Sequence, residues 1–509
     1  PVTFTFFLPM TPGPLGETTV ATLRSLADPA LSQPVAEAWR KQLHRLDVQI
    51  PNSQIQDAFY ASLAYLLMSR RENGIYSGPT SERAMWVRDA AYLTDALVEG
   101  GHAETIKPIL RALRASQLPS GRLPPTTEPD GSPRLPMKTE WDAQGEYIFA
   151  ITHYVEQTGD KPFLEEMYPS IVLAARFQKG LLDGTRVDAN RNTPLYGIMP
   201  AGESAEDLYS ADWHHYWDDF WALTGYHEAA AAARLLGKSA DAGWLGEEEN
   251  NLRTDVLNSV AFAKTPDGKS YIANGPEDIH STAMARSGTP AIWPVAVLDP
   301  KSVLVQHTFE AYYAWTIAPN GGGYKHYGDN DWPYAGISLA HAFYQLDMVG
   351  HAWEILNWTM NHQTMPNLYV WGEAVDPHRF DVASGDSPHS WMAAELVMFI
   401  RDMLWRGDNA LIQIGPFPGD WLPPSGTVAL HHVLGPLGDS GYRLSRSADG
   451  AKLNLDVEGD QPTSGYRLHL PPGWIVTQLA LGGGAPAPLH AYDVLIPPGT
   501  RTAELTITQ

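Results

Sequence analysis

The sequence predicts a mainly α protein, a toroid of about twelve helices followed by a small C-terminal β-sandwich. Three observations predict it. From about Ser53 to Trp405 apolar residues recur with a 3.6-residue period; Ile55, Phe59, Leu63, Leu66 and Leu67 share one face. After Trp405 the period becomes two, as in Val428/Leu430, Leu453/Leu455/Val457, Leu468/Leu470 and Leu505/Ile507, punctuated by Gly and Pro. Between the helical stretches, short connections alternate with long ones at 118–139, 183–214, 318–331 and 364–387, and loops that long are uncommon unless functional.

The elements follow in chain order. PVTFTFFLPM, at the start, reads as a strand, and with the linker-like TPGPLGETTV it makes residues 1–30 an N-terminal strand and linker, read as the remnant of a larger β-domain. Helical stretches then recur near 87–99, 103–116, 141–158, 161–181, 216–236, 240–258, 279–288, 301–317, 332–348, 350–363 and 388–405. Helices in pairs with their long loops at one end suggest hairpins arranged in a ring, within residues 31–405. Residues 406–509 read as a sandwich without a carboxylate cluster, whose expected role is to pack against the helices.

Composition narrows the function classes. With 509 residues, 44% hydrophobic and 18% charged, the chain has the makeup of a soluble globular protein of two or three domains. No apolar run reaches the length of a membrane span. A net charge of −23 disfavours nucleic acid, whose phosphates need clustered Lys and Arg. The absence of Cys removes disulfides, thiolate metal sites and cysteine nucleophiles. The first residue is Pro rather than Met, so a leader has been removed or the sequence trimmed, and an extracellular or periplasmic location is expected. The sequence is silent on oligomeric state.

Seventeen Trp and twenty-two Tyr are the unusual entry, and many stand beside acids in the long loops, as in DWHHYW, YVWGEAVDPH and GDNDWPYAG. Such loops suit a carbohydrate: ring faces stack on aromatics while hydroxyls bond to the acids. In MWVRDAAYLTDAL, Trp86, Arg88 and Asp89 could stack on a sugar and grip its adjacent hydroxyls, although a helix-dipole role for Asp89 explains part of the pattern. In KTEWDAQGEYIFAI, Trp141, Asp142 and Gln144 open a helix, where capping by Asp142 accounts for part. In HHYWDDFWAL, Asp218 and Asp219 lie about 100° apart on a helix, so they cannot face the same way. Trp217, Phe220 and Trp221 would raise the pKa of a carboxyl held against them, as a general acid requires. In LYVWGEAVDPHRFDVASGDSPHSW, Trp371 and Gly372 precede Glu373 in a non-helical loop, and His389 stands at the start of the next helix. No metal site is expected. His214–His215 lacks helical ligand spacing, and the calcium-like start at Asp188 has Met199 at its twelfth position. No cofactor motif is present either.

Together these segments resemble the six-hairpin (α/α)6-barrel glycosidases, in particular the glucoamylase-like and trehalase-like groups. WVRDAAY looks like their W-x-R-D element, HHYWDDFW like their W-E-E segment, WGEAVD like the loop bearing the base, and SPHSWMAAELVMFIRDML like the closing inner helix. The resemblance spans roughly residues 50–405. It departs from the glucoamylase pattern in having Asp where Glu is usual and in the β-region that follows the barrel. It implies an inverting, exo-acting α-glycosidase favouring glucose-type sugars, with Asp218 as general acid and Glu373 as general base. It also implies that Arg88, Asp89 and Asp219 bind the terminal sugar, and Trp86, Trp141, Asp142, Gln144, Trp217, Trp371 and His389 complete the expected site. A glycoside phosphorylase, a polysaccharide lyase or an inactive carbohydrate-binding barrel are the alternatives. The carboxylate at Glu373 argues against a phosphorylase, and the acidic chain against an enzyme of uronates.

Overall fold

A computed structural model describes residues 32–509 apart from 72, 80–83, 204, 206–211, 266, 280–283, 328, 380 and 436. The expected N-terminal strand and linker, and the first part of the 279–288 helix, lie outside the described residues. Thirteen helices are described: α1 Ser32–Leu43, α2 Ser53–Met68, α3 Val87–Glu99, α4 Ile106–Ser116, α5 Ala143–Thr158, α6 Lys161–Thr185, α7 Tyr216–Leu235, α8 Ser239–Val260, α9 Met284–Gly288, α10 Val303–Tyr312, α11 Pro333–Gln345, α12 Val349–Asn361 and α13 Ser390–Leu404.

Burial divides them into two rings. Every residue of α3 and α13 is buried, as is nearly all of α11 and most of α5 and α7, whereas α2, α4, α6, α8 and α12 each bury one stripe. A helix buried all round belongs inside a large core, and one with a single apolar stripe belongs on its outside. The inner ring runs α3, α5, α7, α9, α11, α13, each helix packed on the next, and it closes because α13 packs on α3. Among the described residues the ring closes, and Met284–Gly288 is the part of α9 that is described.

The tightest junction of the ring is between α5 and α7. A Cβ on Gly145 would stand 1.9 Å from the backbone oxygen of Trp221, and one on Gly225 would stand 3.0 Å from the Cα of Gly145. The two backbones touch, which brings the start of α5 against the start of α7. Intrinsic helix propensity favours Ala over Gly by up to about 1 kcal/mol. Overpacking of a rigid contact costs about 1–3 kcal/mol and here exceeds it, since backbone is what the methyl would meet. Gly145→Ala is therefore expected to lower the midpoint of denaturant unfolding; a raised midpoint would mean the helices separate freely.

Beyond Trp405 the regular structure is strand apart from one 3-10 turn at Gly419–Trp421. One seven-stranded sheet runs, in spatial order, 47–49, 427–435, 438–446, 452–458, 502–508, 475–481 and 487–491, and a four-stranded sheet runs 406–407, 412–414, 466–469 and 493–496. Alternating burial, as in Lys452–Glu458 and Thr502–Thr508, gives the inner and outer faces of a sandwich. Asp47–Gln49 adds an edge strand from the helical part, with Val48 opposite Leu430. The sandwich rests on the C-terminal ends of the inner helices: Trp405 stacks near Tyr442, and the Tyr344 hydroxyl donates to the Pro416 carbonyl at 3.0 Å. Among the described residues no helix is long and apolar enough to cross a membrane.

The inner helices α3, α5, α7 and α11 each turn back into the next helix through a short connection, so these four run in one direction. The long segments before α3, α5, α7, α11 and α13 consequently meet at one mouth, where five helix N-termini converge. Helix N-termini attract negative charge, and carboxylates are concentrated there.

Candidate active site

Met85–Trp86 forms a short antiparallel pair with Thr126–Thr127, and the Val87 amide donates to the Pro125 carbonyl at 2.9 Å. This anchors the turn into α3 and projects Trp86, Arg88 and Asp89 into a cavity of about 150 Å3 at the mouth. The same cavity is walled by Glu373, His389 and the rings of Trp332, Tyr334 and Trp391. An apolar cavity of about this size accommodates one six-membered ring. A larger cleft of about 310 Å3 lies at the other end, between α5, α13 and the sandwich. Leucine, valine and Trp405 line much of it, and it lacks the convergent carboxylates and aromatics of the mouth.

Glu373 reaches the cavity from the loop between α12 and α13, immediately before the strand Ala374–Asp376. Its amide donates to the Asp386 carbonyl at 3.1 Å. Gly385 holds φ at 72°, and a Cβ there would stand 1.8 Å from the Glu373 carboxylate. Only glycine suits that position, so Gly385 is part of how Glu373 is placed. His389 precedes α13, its amide donating to the Trp371 carbonyl at 2.9 Å. Burial lowers the His389 pKa to about 3, against the opposing pull of Asp386, so the ring is neutral. Its Nδ1 is buried and has no hydrogen-bond partner among the described residues.

Arg88 binds carboxylates as well as walling the cavity. One of its amino groups donates to Glu140 at 2.9 Å and to Asp142 at 2.8 Å. The same Asp142 oxygen accepts from the Trp217 indole at 2.9 Å. Arg88 also lies 5.2 Å, and Lys138 4.9 Å, from the centre of the Trp86 ring. The EWD and YWD segments are thus joined through one guanidinium and one indole. Asp142 meets both Arg88 and Trp217, and neither Asp142 nor Trp217 is brought into the wall of the cavity.

Asp218 lies within electrostatic reach of this group. Its side chain is buried, 1% exposed, and among the described residues neither oxygen has a hydrogen-bond partner. Burial pushes its pKa well above the usual carboxylate range, reinforced by Asp142, Asp219 and Glu140, while Arg88 opposes. Glu146, one helical turn after Asp142, is pushed up in the same way by burial and then Asp142, and burial lifts Glu140 to about 7. Several carboxyls share the field of one guanidinium, so they cannot all ionise in a dry interior. The helix N-terminus would favour the anion, but burial outweighs it. The aromatic neighbours expected to raise the pKa are present, with Trp217 and Trp221 edge to face at 6.2 Å, yet the adjoining acids add to their effect.

The remaining expected residues are placed elsewhere. Asp219 turns away from the cavity, is fully buried, and accepts the Met199 amide at 2.7 Å; Asp255 is its charged neighbour. Gln144 accepts from the Leu123 amide at 2.7 Å and pins the long loop before α5. The Trp141 indole donates to the Ala201 carbonyl at 3.3 Å, beneath Arg122. Trp371 is buried behind the loop and donates to the Thr359 carbonyl at 2.8 Å. Of the expected set, Trp86, Arg88, Asp89, Glu373 and His389 wall the cavity; Asp142, Trp217 and Asp218 gather about Arg88; and Asp219, Trp141, Gln144 and Trp371 bind the surrounding framework.

Sequence reasoning passed over Trp332, Tyr334, Trp391, Glu146 and Gly385. The first two belong to the aromatic loop GDNDWPYAG, and Glu146 follows Asp142 at the i, i+4 spacing that shares a helix face. Nothing local marks Gly385, whose contact with Glu373 exists only in three dimensions. Among the described residues no group of three or more His, Asp or Glu side chains could hold a metal ion.

No protein-family model and no curated relative matches this sequence. Solved structures do match. An α-L-rhamnosidase from Dictyoglumus thermophilum superposes with a TM-score of 0.62 at 15% identity, over 91% of this chain and 50% of the other. An α-L-rhamnosidase from Streptomyces avermitilis, complexed with L-rhamnose, gives 0.60 at 14% identity, over 91% of this chain and 42% of the other. A glycosidase variant in complex with glucose gives 0.54 at 13% identity, over 68% of this chain and 96% of the other. This chain spans about half the length, or less, of the rhamnosidases it matches. At such identities the likeness is one of fold: a helical toroid accompanied by β-sandwich structure.

Proposed function

We propose that the protein is a glycoside hydrolase that releases a terminal α-linked pyranose with inversion. The observation that carries this reading is a ring-sized cavity at the toroid mouth, walled by four aromatic rings, with Glu373, Asp89, Arg88 and a neutral His389 facing in. Its resemblance in fold to glycosidases supports the same reading. Glu373 acts as the base: it takes a proton from water as the water oxygen bonds to the anomeric carbon. Asp218 acts as the acid: its O–H protonates the glycosidic oxygen as the bond from that oxygen to the anomeric carbon breaks. The products are the sugar of opposite anomeric configuration and the free alcohol; solvent then reverses the two proton transfers. Such a reaction needs the two carboxyls about 6.5–9.5 Å apart, leaving room for the water.

Arg88 and Asp89 hold ring hydroxyls, and the Glu140–Asp142 pair keeps the guanidinium in place. An uncharged sugar suits this site. A uronate or a phosphate would meet the carboxylates of Asp89 and Glu373 beside a guanidinium that already binds two acids. Glucose-type sugars are the first reading, supported by the WVRD and YWDD elements and by the glucose-bound neighbour. Rhamnose-type sugars are the second, favoured because the rhamnosidases align with 91% of this chain, where the glucose-bound glycosidase aligns with 68%.

Incubation with aryl α- and β-D-glucosides and α-L-rhamnosides, with the first-formed anomer read by proton NMR, tests the proposal. Hydrolysis of an α-glycoside to the inverted anomer, independent of phosphate, is expected. Retention of configuration, a phosphate requirement, or an unsaturated product would replace it with another mechanism.

A further inference from the structure

We propose that Glu395 is a positioning residue for the sugar cavity: it fixes the indole of Trp391 and thereby sets how tightly the terminal ring is held. The inference rests on reading the cavity as a sugar site. Glu395 is fully buried on α13, one turn beyond Trp391, on the same helix face. One of its carboxylate oxygens accepts from the Trp391 indole at 3.0 Å and from the Ser338 hydroxyl. The other accepts from the Trp293 indole at 3.3 Å. Its carboxylate is therefore held from three sides, by α11, by α13 and by the segment after α9.

Trp391 lies between two rings, stacked on Tyr92 at 4.8 Å and 29°, and tilted against Tyr334 at 4.5 Å and 38°. Stacking fixes the plane of an indole but discriminates poorly between orientations within that plane, because apolar contact has no direction. A hydrogen bond is directional, and the Nε1–H bond to Glu395 selects the edge that Trp391 presents to the cavity. Trp293 provides an internal contrast. It holds the other oxygen of the same carboxylate but lines a separate polar cavity with Asp95, His153 and Arg401 instead of the sugar cavity. Loss of the Trp293 bond tests whether Glu395 serves only to hold the core together.

The experiment compares wild type with Glu395→Gln, Glu395→Asp and Trp293→Phe. It measures Kd for D-glucose and L-rhamnose by tryptophan fluorescence, KM and kcat on the best aryl glycoside, and Tm. Glutamine keeps an acceptor oxygen at the same reach, whereas aspartate keeps the carboxyl but withdraws it by one methylene. Kd and KM are expected to rise about tenfold in Glu395→Asp, roughly the worth of one hydrogen bond, with kcat changed by less than about threefold. In Glu395→Gln both stay within about threefold of wild type, and in Trp293→Phe Tm falls while Kd does not move. Equal binding by wild type and Glu395→Asp would overturn the inference, as would a Trp293→Phe loss of affinity matching that of Glu395→Asp. A wild-type protein that binds neither monosaccharide and hydrolyses no glycoside would overturn the sugar-site reading first, and this inference with it.

Discussion

Glu373→Gln is expected to lower kcat by about three orders of magnitude while leaving KM and Tm near their wild-type values. A positioned general base contributes about 10²–10⁴ in rate, and the amide of glutamine cannot take the proton of an attacking water. The substitution keeps the shape of the side chain that Gly385 accommodates, where its Cβ position would stand 1.8 Å from the carboxylate, so the loop has no reason to move. Steady-state kinetics on an aryl glycoside beside a thermal melt checks this. Unchanged kcat would remove Glu373 from the reaction, and a parallel loss of Tm would make its role one of loop structure.

The second large effect separates the proton donor from its rival in the wall. Asp218→Asn is expected to lower kcat about 10³-fold on substrates with poor leaving groups, such as alkyl glycosides. On a 2,4-dinitrophenyl glycoside, whose leaving group needs no proton, the loss shrinks to within about tenfold. Asp89→Asn should weaken both substrates alike, since a hydroxyl contact does not depend on the aglycone. If instead Asp89→Asn shows the leaving-group dependence and Asp218→Asn does not, Asp89 is the acid.

The pH profile gives an independent reading. Burial, with Asp142, Asp219 and Glu140 close by, holds the Asp218 carboxyl protonated well above its usual range, so with Asp218 as the proposed acid, activity is expected to fall as pH rises through that raised pKa. Asparagine cannot titrate, and the alkaline limb assigned to Asp218 should disappear in Asp218→Asn. The sign for stability follows. A carboxyl with a raised folded-state pKa binds more protons folded than unfolded as pH rises above its unfolded value, so it subtracts stability across that window. Asparagine removes that loss, and the difference in stability should favour the variant increasingly as pH rises.

Much of the architecture is legible in short stretches. The apolar stripe of α2, the all-round burial of VRDAAYLTDALVE in α3, and the change to period two after Trp405 are local patterns with local consequences. The long segments before inner helices, with their aromatic and acidic residues, also pointed to the end of the toroid where the aromatic cavity lies. Much less of the detailed site is local. HHYWDDFWAL shows that Asp218 and Asp219 face differently, but not which one faces inward. Its helix could be rotated about its axis until Gly145 and Gly225 bring α5 and α7 together. That contact brings Asp218 within reach of Asp142 and Arg88 and turns Asp219 toward the Met199 amide.

Within the described residues the sequence by itself determined most of the helices, the strand-rich region after Trp405, which helix faces are apolar, and that aromatics and acids crowd the long loops, though not that strands form within the loops at 325–331 and 374–384. Those properties depend on neighbours within a turn or two of chain. Closure of the ring through α13 and α3, the approach of Gly385 to Glu373, and the sharing of Arg88 between Glu140 and Asp142 were decided by the tertiary structure alone. The reason is that a carboxyl's chemistry is set by how far water is excluded and which charges remain nearby. Burial and the acids around Arg88 raise Asp218 despite its place at a helix N-terminus, and both arise from contacts between segments far apart in the chain.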